Sequence, residues 1–158
     1  MKKSILPILT YLFASTAIAI AASTPPVFQM RLVLDTAASD SEPMTYVAHY
    51  QNHTHTNLLY VQKAILLDET ALKSAKLGTA GLGWPVIEIT FTDAGAKRFA
   101  EVTRQNIHKR LAIVIDGQLC EAPIIQTEIS GGKAQISGSF SKKEAKDLAK
   151  KISDALPK

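Results

Sequence analysis

The sequence predicts an α+β fold: a mostly antiparallel sheet with two main helices packed on one face. Three observations predict it. Ala96, Phe99, Ala100, Thr103 and Ile107 recur at helical spacing behind Thr92 and Asp93, and Ala145, Leu148, Ala149 and Ile152 do so behind Ser141. Leu111–Ile115 is a continuous apolar run closed by Asp116-Gly117, the pattern of a strand buried on both faces and ended by a tight turn. Around these lie short alternating stretches punctuated by glycine, which read as strands.

The first two dozen residues stand apart from this core. Lys2 and Lys3 make a positive start, Ile5 to Ile20 is mostly apolar, and Ala19-Ile20-Ala21 offers small residues at the spacing of a cleavage site. This is the build of a secretory signal peptide over residues 1–21. Pro7, Thr10, Ser15 and Thr16 interrupt the run, which suits a cleaved leader better than a retained span of roughly 20 apolar residues. The expectation is a periplasmic or secreted product with no permanent membrane span after cleavage.

Ser23 to Pro26 is a linker, and Phe28, Met30, Leu32 and Leu34 alternate with Gln29, Arg31 and Val33 as in a half-buried strand. Thr36 to Pro43 reads as a polar loop, Met44 to Tyr50 as a short strand, Gln51 to Asn57 as a histidine-rich turn, and Leu58 to Leu66 as a strand. Residues 22–57 are therefore taken as an N-terminal section of strand and polar loops, ahead of the α+β domain at 58–158. Asp68 sits at a helix cap, with Ala71, Leu72 and Ala75 on one side of the turn it starts. Gly78 to Gly83 is a loop or hairpin end.

Val86, Ile87, Ile89 and Phe91 mark the strand before the first main helix. Leu119 to Ile125 reads as the partner of Leu111–Ile115. Pro123 falls at an edge or bulge because proline cannot donate to the ladder. Gly131-Gly132 is expected to join Ile124–Ile129 to Ala134–Ile136 as a hairpin. Ser141 with Glu144 three residues on forms a capping box for the last helix.

Composition narrows the function. Apolar residues make up 46% and charged residues 20%, which is globular and neither disordered nor collagenous. Taking Lys2 and Lys3 from 18 basic residues against 14 acidic ones lowers the formal charge from +4 to +2, so the basic balance supports no nucleic-acid role. Lone Cys120 excludes an internal disulfide and, beside Glu121, reads as a small apolar strand residue rather than an activated thiol. Ile136-Ser137-Gly138-Ser139-Phe140 lacks the Gly-x-Ser-x-Gly pattern of a nucleophile elbow. No glycine-rich run opens a helix after a strand, so no phosphate cradle is expected. Asp116 and Glu121 are explained by a turn and by a solvated edge strand. No catalytic residue and no cofactor is expected, and the chain is read as a non-enzyme. His49, His53 and His55 are the weak candidates for a metal site, since zinc or copper accepts imidazole, and carry an alternative reading as a small periplasmic metal-binding protein or enzyme that uses this loop; otherwise they belong to a solvated loop. Lys142, Lys143, Lys146, Lys150 and Lys151, interleaved with Glu144 and Asp147, read as a solvated helix face.

A set of motifs taken in order carries a resemblance. They are Gly95-Ala96 with Phe99, Thr103 with Asn106, Leu111–Val114 with Asp116-Gly117, Ala122-Pro123 with Ile125, Gly131-Gly132, Ile136-Ser137-Gly138 with Phe140, and Glu144-Ala145 with Leu148-Ala149. Together, across Leu58 to Leu156, they resemble the periplasmic head of SecD, a subunit of the bacterial protein-translocation machinery. The stretch Leu66 to Ala75 resembles the segment that precedes that head. Neither the family's membrane-spanning helices nor its periplasmic base region is recognisable here, so the resemblance implies the head's role and not that of a proton-driven motor. At His108 the family pattern implies glycine. The resemblance implies a polypeptide- or protein-binding module outside the inner membrane, alone or as an accessory subunit of a translocase or other envelope complex. The physical route expected is addition of an extended chain to a sheet edge, over Ala122, Pro123, Ile124, Ile125, Gln126 and Thr127.

Overall fold

The computed structural model describes residues 25–50 and 53–158; the expected leader lies outside them. Nine strands and two α-helices follow one another in it: β1 (Phe28–Leu34), β2 (Ser41–Tyr50), β3 (His53–Gln62), β4 (Leu67–Asp68), β5 (Leu72–Ala80), β6 (Trp84–Phe91), α1 (Asp93–Gln105), β7 (Leu111–Ile115), β8 (Gln118–Glu121), β9 (Lys133–Ile136) and α2 (Lys142–Ala155). The α+β class holds, with antiparallel strands and two main helices, but the strands form two sheets. One runs β2-β3-β1-β7-β8, with β4 also paired to β1; the other is β5-β6-β9.

Both helices begin where the sequence expects. The Thr92 hydroxyl accepts the Gly95 N–H at 3.0 Å. At α2 the Ser141 hydroxyl accepts the Glu144 N–H at 3.2 Å, and the Glu144 carboxylate accepts the Ser141 N–H at 2.8 Å. Each bond satisfies a first-turn donor that has no partner inside the helix. Ala145, Ala149 and Ile152 are buried as the stripe requires. On α1 the buried residues are Gly95, Phe99, Val102 and Thr103, with Ile107 lying beyond the helix and exposed.

The main core lies where the helices meet both sheets. Phe28 and Met30 of β1, Ile113 and Ile115 of β7, Ile87 and Ile89 of β6, Phe99 of α1 and Ile152 of α2 belong to one cluster. The other face of β7 is also covered: Ala112 and Val114 join Val61 and Leu119 in a second cluster, packed by Met44, Tyr46 and Leu59 of the β2–β3 hairpin. This two-sided burial is why Leu111–Ile115 is apolar throughout.

The same burial corrects the reading of β1 as half-buried. Arg31 stands opposite Ala112 and is 4% exposed. Its guanidinium pairs with Glu42 at 2.7 Å and donates to the Gln62 carbonyl. A polar residue in an alternating pattern signals a solvated face only when no partner waits across the sheet.

Other expectations change as well. Asp68 does cap a turn, accepting the Thr70 N–H at 2.9 Å, but that turn is a single 3₁₀ turn, Glu69–Ala71, and β5 follows. The pairing of β5 with β6 slips between Leu72 and Ser74, so Leu72 and Ala75, three apart, are both buried. A bulge in a strand thus imitates helical spacing. Gly131-Gly132 does not close a hairpin with Ile124–Ile129; β9 pairs with β6, burying Ile136 opposite Ile87. Of the stretch expected as a histidine-rich turn, His53 to Asn57 is strand, since β2 and β3 form one long hairpin in register from Ser41↔Gln62 to Tyr50↔His53; residues 51–52 lie outside the described residues. The boundary expected between residues 57 and 58 falls inside β3.

Candidate functional site

The edge expected to bind, Ala122 to Thr127, continues past β8 alongside the segment that leads into β7. The Leu111 N–H donates to the Pro123 carbonyl at 2.9 Å, and the Ile125 N–H donates to the Lys109 carbonyl at 2.9 Å. Arg110 and Ile124 are the bridge partners between those bonded pairs. In an antiparallel ladder such an intermediate pair turns its N–H and C=O groups outward. Ile124 therefore presents a donor and an acceptor to the outer edge, and its side chain is 52% exposed. Pro123 has no N–H to lose, and the Arg110 guanidinium fills the Ala122 carbonyl at 3.0 Å.

The chain then loops over and returns as β9. At the neck of this loop the Glu121 carboxylate accepts both the N–H and the hydroxyl of Ser137, at 3.1 and 3.0 Å. At the far side the Ile129 N–H donates to the Thr103 hydroxyl of α1 at 2.9 Å. Between the limbs lies a cavity of 290 Å³, lined by Phe99, Ile113, Pro123–Thr127, Ile129 and Gln135 among others. Glu121 is thus no solvated edge residue. Burial raises its carboxyl above the ordinary value, and the Ser137 bonds only partly oppose this.

The remaining candidates separate. His49 pairs with Thr54, whereas His53 pairs with Tyr50 and His55 with Ala48. By the two-residue period of a strand, position 49 belongs to one face of the hairpin and positions 53 and 55 to the other. Among the described residues no group of three His, Cys, Asp or Glu is placed to hold a metal ion. Cys120 is buried and its thiol is pushed up to about 11, chiefly by desolvation, so it is protonated at neutral pH. Asp116 pairs with Lys151, Lys143 with Asp147 at 2.8 Å, and Lys150 with Asp154, which accounts for much of the lysine-rich face.

One surface was missed from sequence. At the tip of the β5–β6 hairpin Leu82 is 99% exposed and Trp84 72%. Trp84 borders a groove of 520 Å³ with Tyr46, Pro85 and Phe140. Two large apolar residues alternating with Gly81 and Gly83, whose φ values are +50° and +99°, were the available sign.

The family pattern also meets the backbone. His108 adopts φ +69°, in the left-handed region where a glycine is at ease. A sequence profile of the SecDF P1 head subdomain matches residues 45–157, well over half the chain. The chain belongs to the SecDF P1 head family. It is 46% identical over 93 residues to the protein translocase subunit SecD of Sebaldella termitidis, covering 58% of this chain and 23% of that protein. Against the SecDF subunit of Thermus thermophilus it is 49% identical over 84 residues, covering 53% of this chain and 11% of that protein. A crystal structure of SecDF in its super-membrane-facing form superposes over 84% of this chain and 19% of its own, with a TM-score of 0.65 and 31% identity. A second structure, of a membrane component SecDF that enhances protein export, covers 84% of this chain and 64% of its own at TM-score 0.64. The chain thus spans less than a quarter of the SecD subunit of Sebaldella termitidis and of the SecDF subunit of Thermus thermophilus. Among the described residues no helix is long and apolar enough to cross a membrane.

Proposed function

We propose that this protein is a non-catalytic polypeptide-binding module, delivered across the inner membrane by its N-terminal leader and working in the periplasm or beyond. The observation that carries the reading is the outward-facing backbone of Ile124 beside an apolar cavity. Strand addition at such an edge draws its affinity from main-chain hydrogen bonds, which every polypeptide offers, and so tolerates many sequences. The relatives' part in protein translocation and export supplies the matching need: a chain that has not yet folded. The test is titration of the mature protein with a permanently unfolded polypeptide, such as a reduced and carboxymethylated globular protein. Saturable binding is expected; none at high micromolar concentration overturns the reading.

A second reading, as an accessory subunit of an envelope complex, is favoured by the translocase subunits to which the chain is similar. Affinity purification from membranes should then recover translocase components with the tagged protein. Recovery of none would remove it.

A further inference from the structure

We propose that the outer edge of β9 is a second wall of the same site, so that one extended segment of polypeptide is held between two sheet edges. The inference rests on the strand-addition reading above and goes beyond it in assigning a second set of binding groups and a pattern to the ligand.

The register of β9 decides which of its groups face the cleft. The Phe91 N–H donates to the Gly132 carbonyl at 3.0 Å, which makes those two residues a directly bonded pair. Pairs then alternate along the ladder: Ile89↔Ala134 and Ile87↔Ile136 are bonded, whereas Thr90↔Lys133 and Glu88↔Gln135 lie between. Lys133 and Gln135 therefore turn their N–H and C=O groups away from β6. The next residue in that series is Ser137, whose N–H is filled by the Glu121 carboxylate. An acidic oxygen there occupies the position of an added strand's carbonyl, and the slots at Gln135 and Lys133 continue the row.

The slot at Gln135 borders the same cavity as Ile124, within the single loop that residues 121–137 form. Its limbs are fastened at the neck by Glu121 and Ser137, and its far side is tied to α1 through Ile129 and Thr103. Gln135 and Ile124 both line the cavity between the limbs, over a floor that includes Phe99, Leu111 and Ile113. A strand lying there presents alternate side chains to the apolar floor and to solvent. The ligand is accordingly an extended segment of alternating apolar and polar residues.

Backbone amide exchange of the wild-type protein, followed by NMR with and without the carboxymethylated polypeptide, tests this. Exchange at Ile124, Lys133 and Gln135 is expected to slow by roughly tenfold or more at saturation. Slowing at Ile124 alone overturns the two-edge site while leaving strand addition standing; binding with slowing at neither edge overturns both. A Gln135→Pro variant removes one outward donor without touching a bond to β6, a substitution that an edge strand can accommodate. It is expected to bind several-fold more weakly at a near-unchanged unfolding midpoint, and unaltered binding would contradict the proposal.

Discussion

Replacing Gly95 by alanine inverts a general rule, which makes the substitution diagnostic. Alanine is favoured over glycine within a helix by about 1 kcal/mol. Here an added Cβ would stand 2.0 Å from the Ala71 carbonyl oxygen and 2.9 Å from its carbon, where ordinary contact begins near 3.4 Å. That oxygen cannot move freely, because it accepts the Thr92 N–H at 2.9 Å and the Thr92 hydroxyl at 3.3 Å. The first turn of α1 must lift by more than an ångström or the 3₁₀ turn must give way. Overpacking of this kind costs about 1–3 kcal/mol. A backbone N–H left without its partner adds about 1–3 kcal/mol. After the helical gain is subtracted, Gly95→Ala should destabilise by about 1–5 kcal/mol, a fall in Tm of roughly 4–20 °C. Urea unfolding monitored by circular dichroism measures it, with exposed Ala94→Gly as a control expected to lose only about 1 kcal/mol through propensity. A Gly95→Ala protein as stable as wild type, or more so, would refute the close approach of α1 to the Ala71 turn.

His108→Gly should stabilise by about 0.5–1 kcal/mol: relief of a left-handed side-chain conformation gains about 1–2 kcal/mol, and added freedom in the unfolded chain returns part of it. Thermal unfolding reads the change, and a loss of stability would contradict the assigned turn. The raised carboxyl of Glu121 means that the folded state holds its proton at pH values where the unfolded chain has already released it. Its contribution is therefore full at low pH and is lost as pH rises from the ordinary glutamate range through the raised folded value. In Glu121→Gln the amide can accept the Ser137 N–H and donate to its hydroxyl, so the pH slope across that window should flatten without loss of stability above it. Denaturant unfolding at a series of pH values checks this; an unchanged slope would count against it. With position 49 on the opposite face from 53 and 55, His53→Ala and His55→Ala should leave the metal content of purified protein unchanged, as measured by elemental analysis. A stoichiometric zinc content lost in either variant would restore the histidine site.

The two α-helices were legible because caps and apolar stripes are local, and α1 and α2 carry both. The buried strand β7 was legible for a related reason, since burial on both faces leaves no polar position to confuse its pattern. What escaped depends on partners distant in sequence. Leu72 and Ala75 read as helical because nothing local announces the slip between β5 and β6. Gly131-Gly132 signals a reversal but not which strand receives the returning chain, and β6 lies some forty residues upstream. Arg31 looked solvated because Glu42 and the Gln62 carbonyl that hold it belong to other strands. At the candidate site Pro123 pointed to the edge, whereas Glu121 and the outward face of β9 acquired meaning only once β9 was seen to pair with β6.

The measurement that bears most directly on the account is the affinity of an Ile124→Pro variant for unfolded polypeptide. Proline there removes the outward N–H while leaving the bonds of Leu111 and Ile125 to their partners in place. The account expects binding at least several-fold weaker than wild type with the fold retained by circular dichroism. Binding undiminished in that variant, with amide perturbations gathered instead around Leu82 and Trp84, would move the site to the β5–β6 hairpin and contradict the edge.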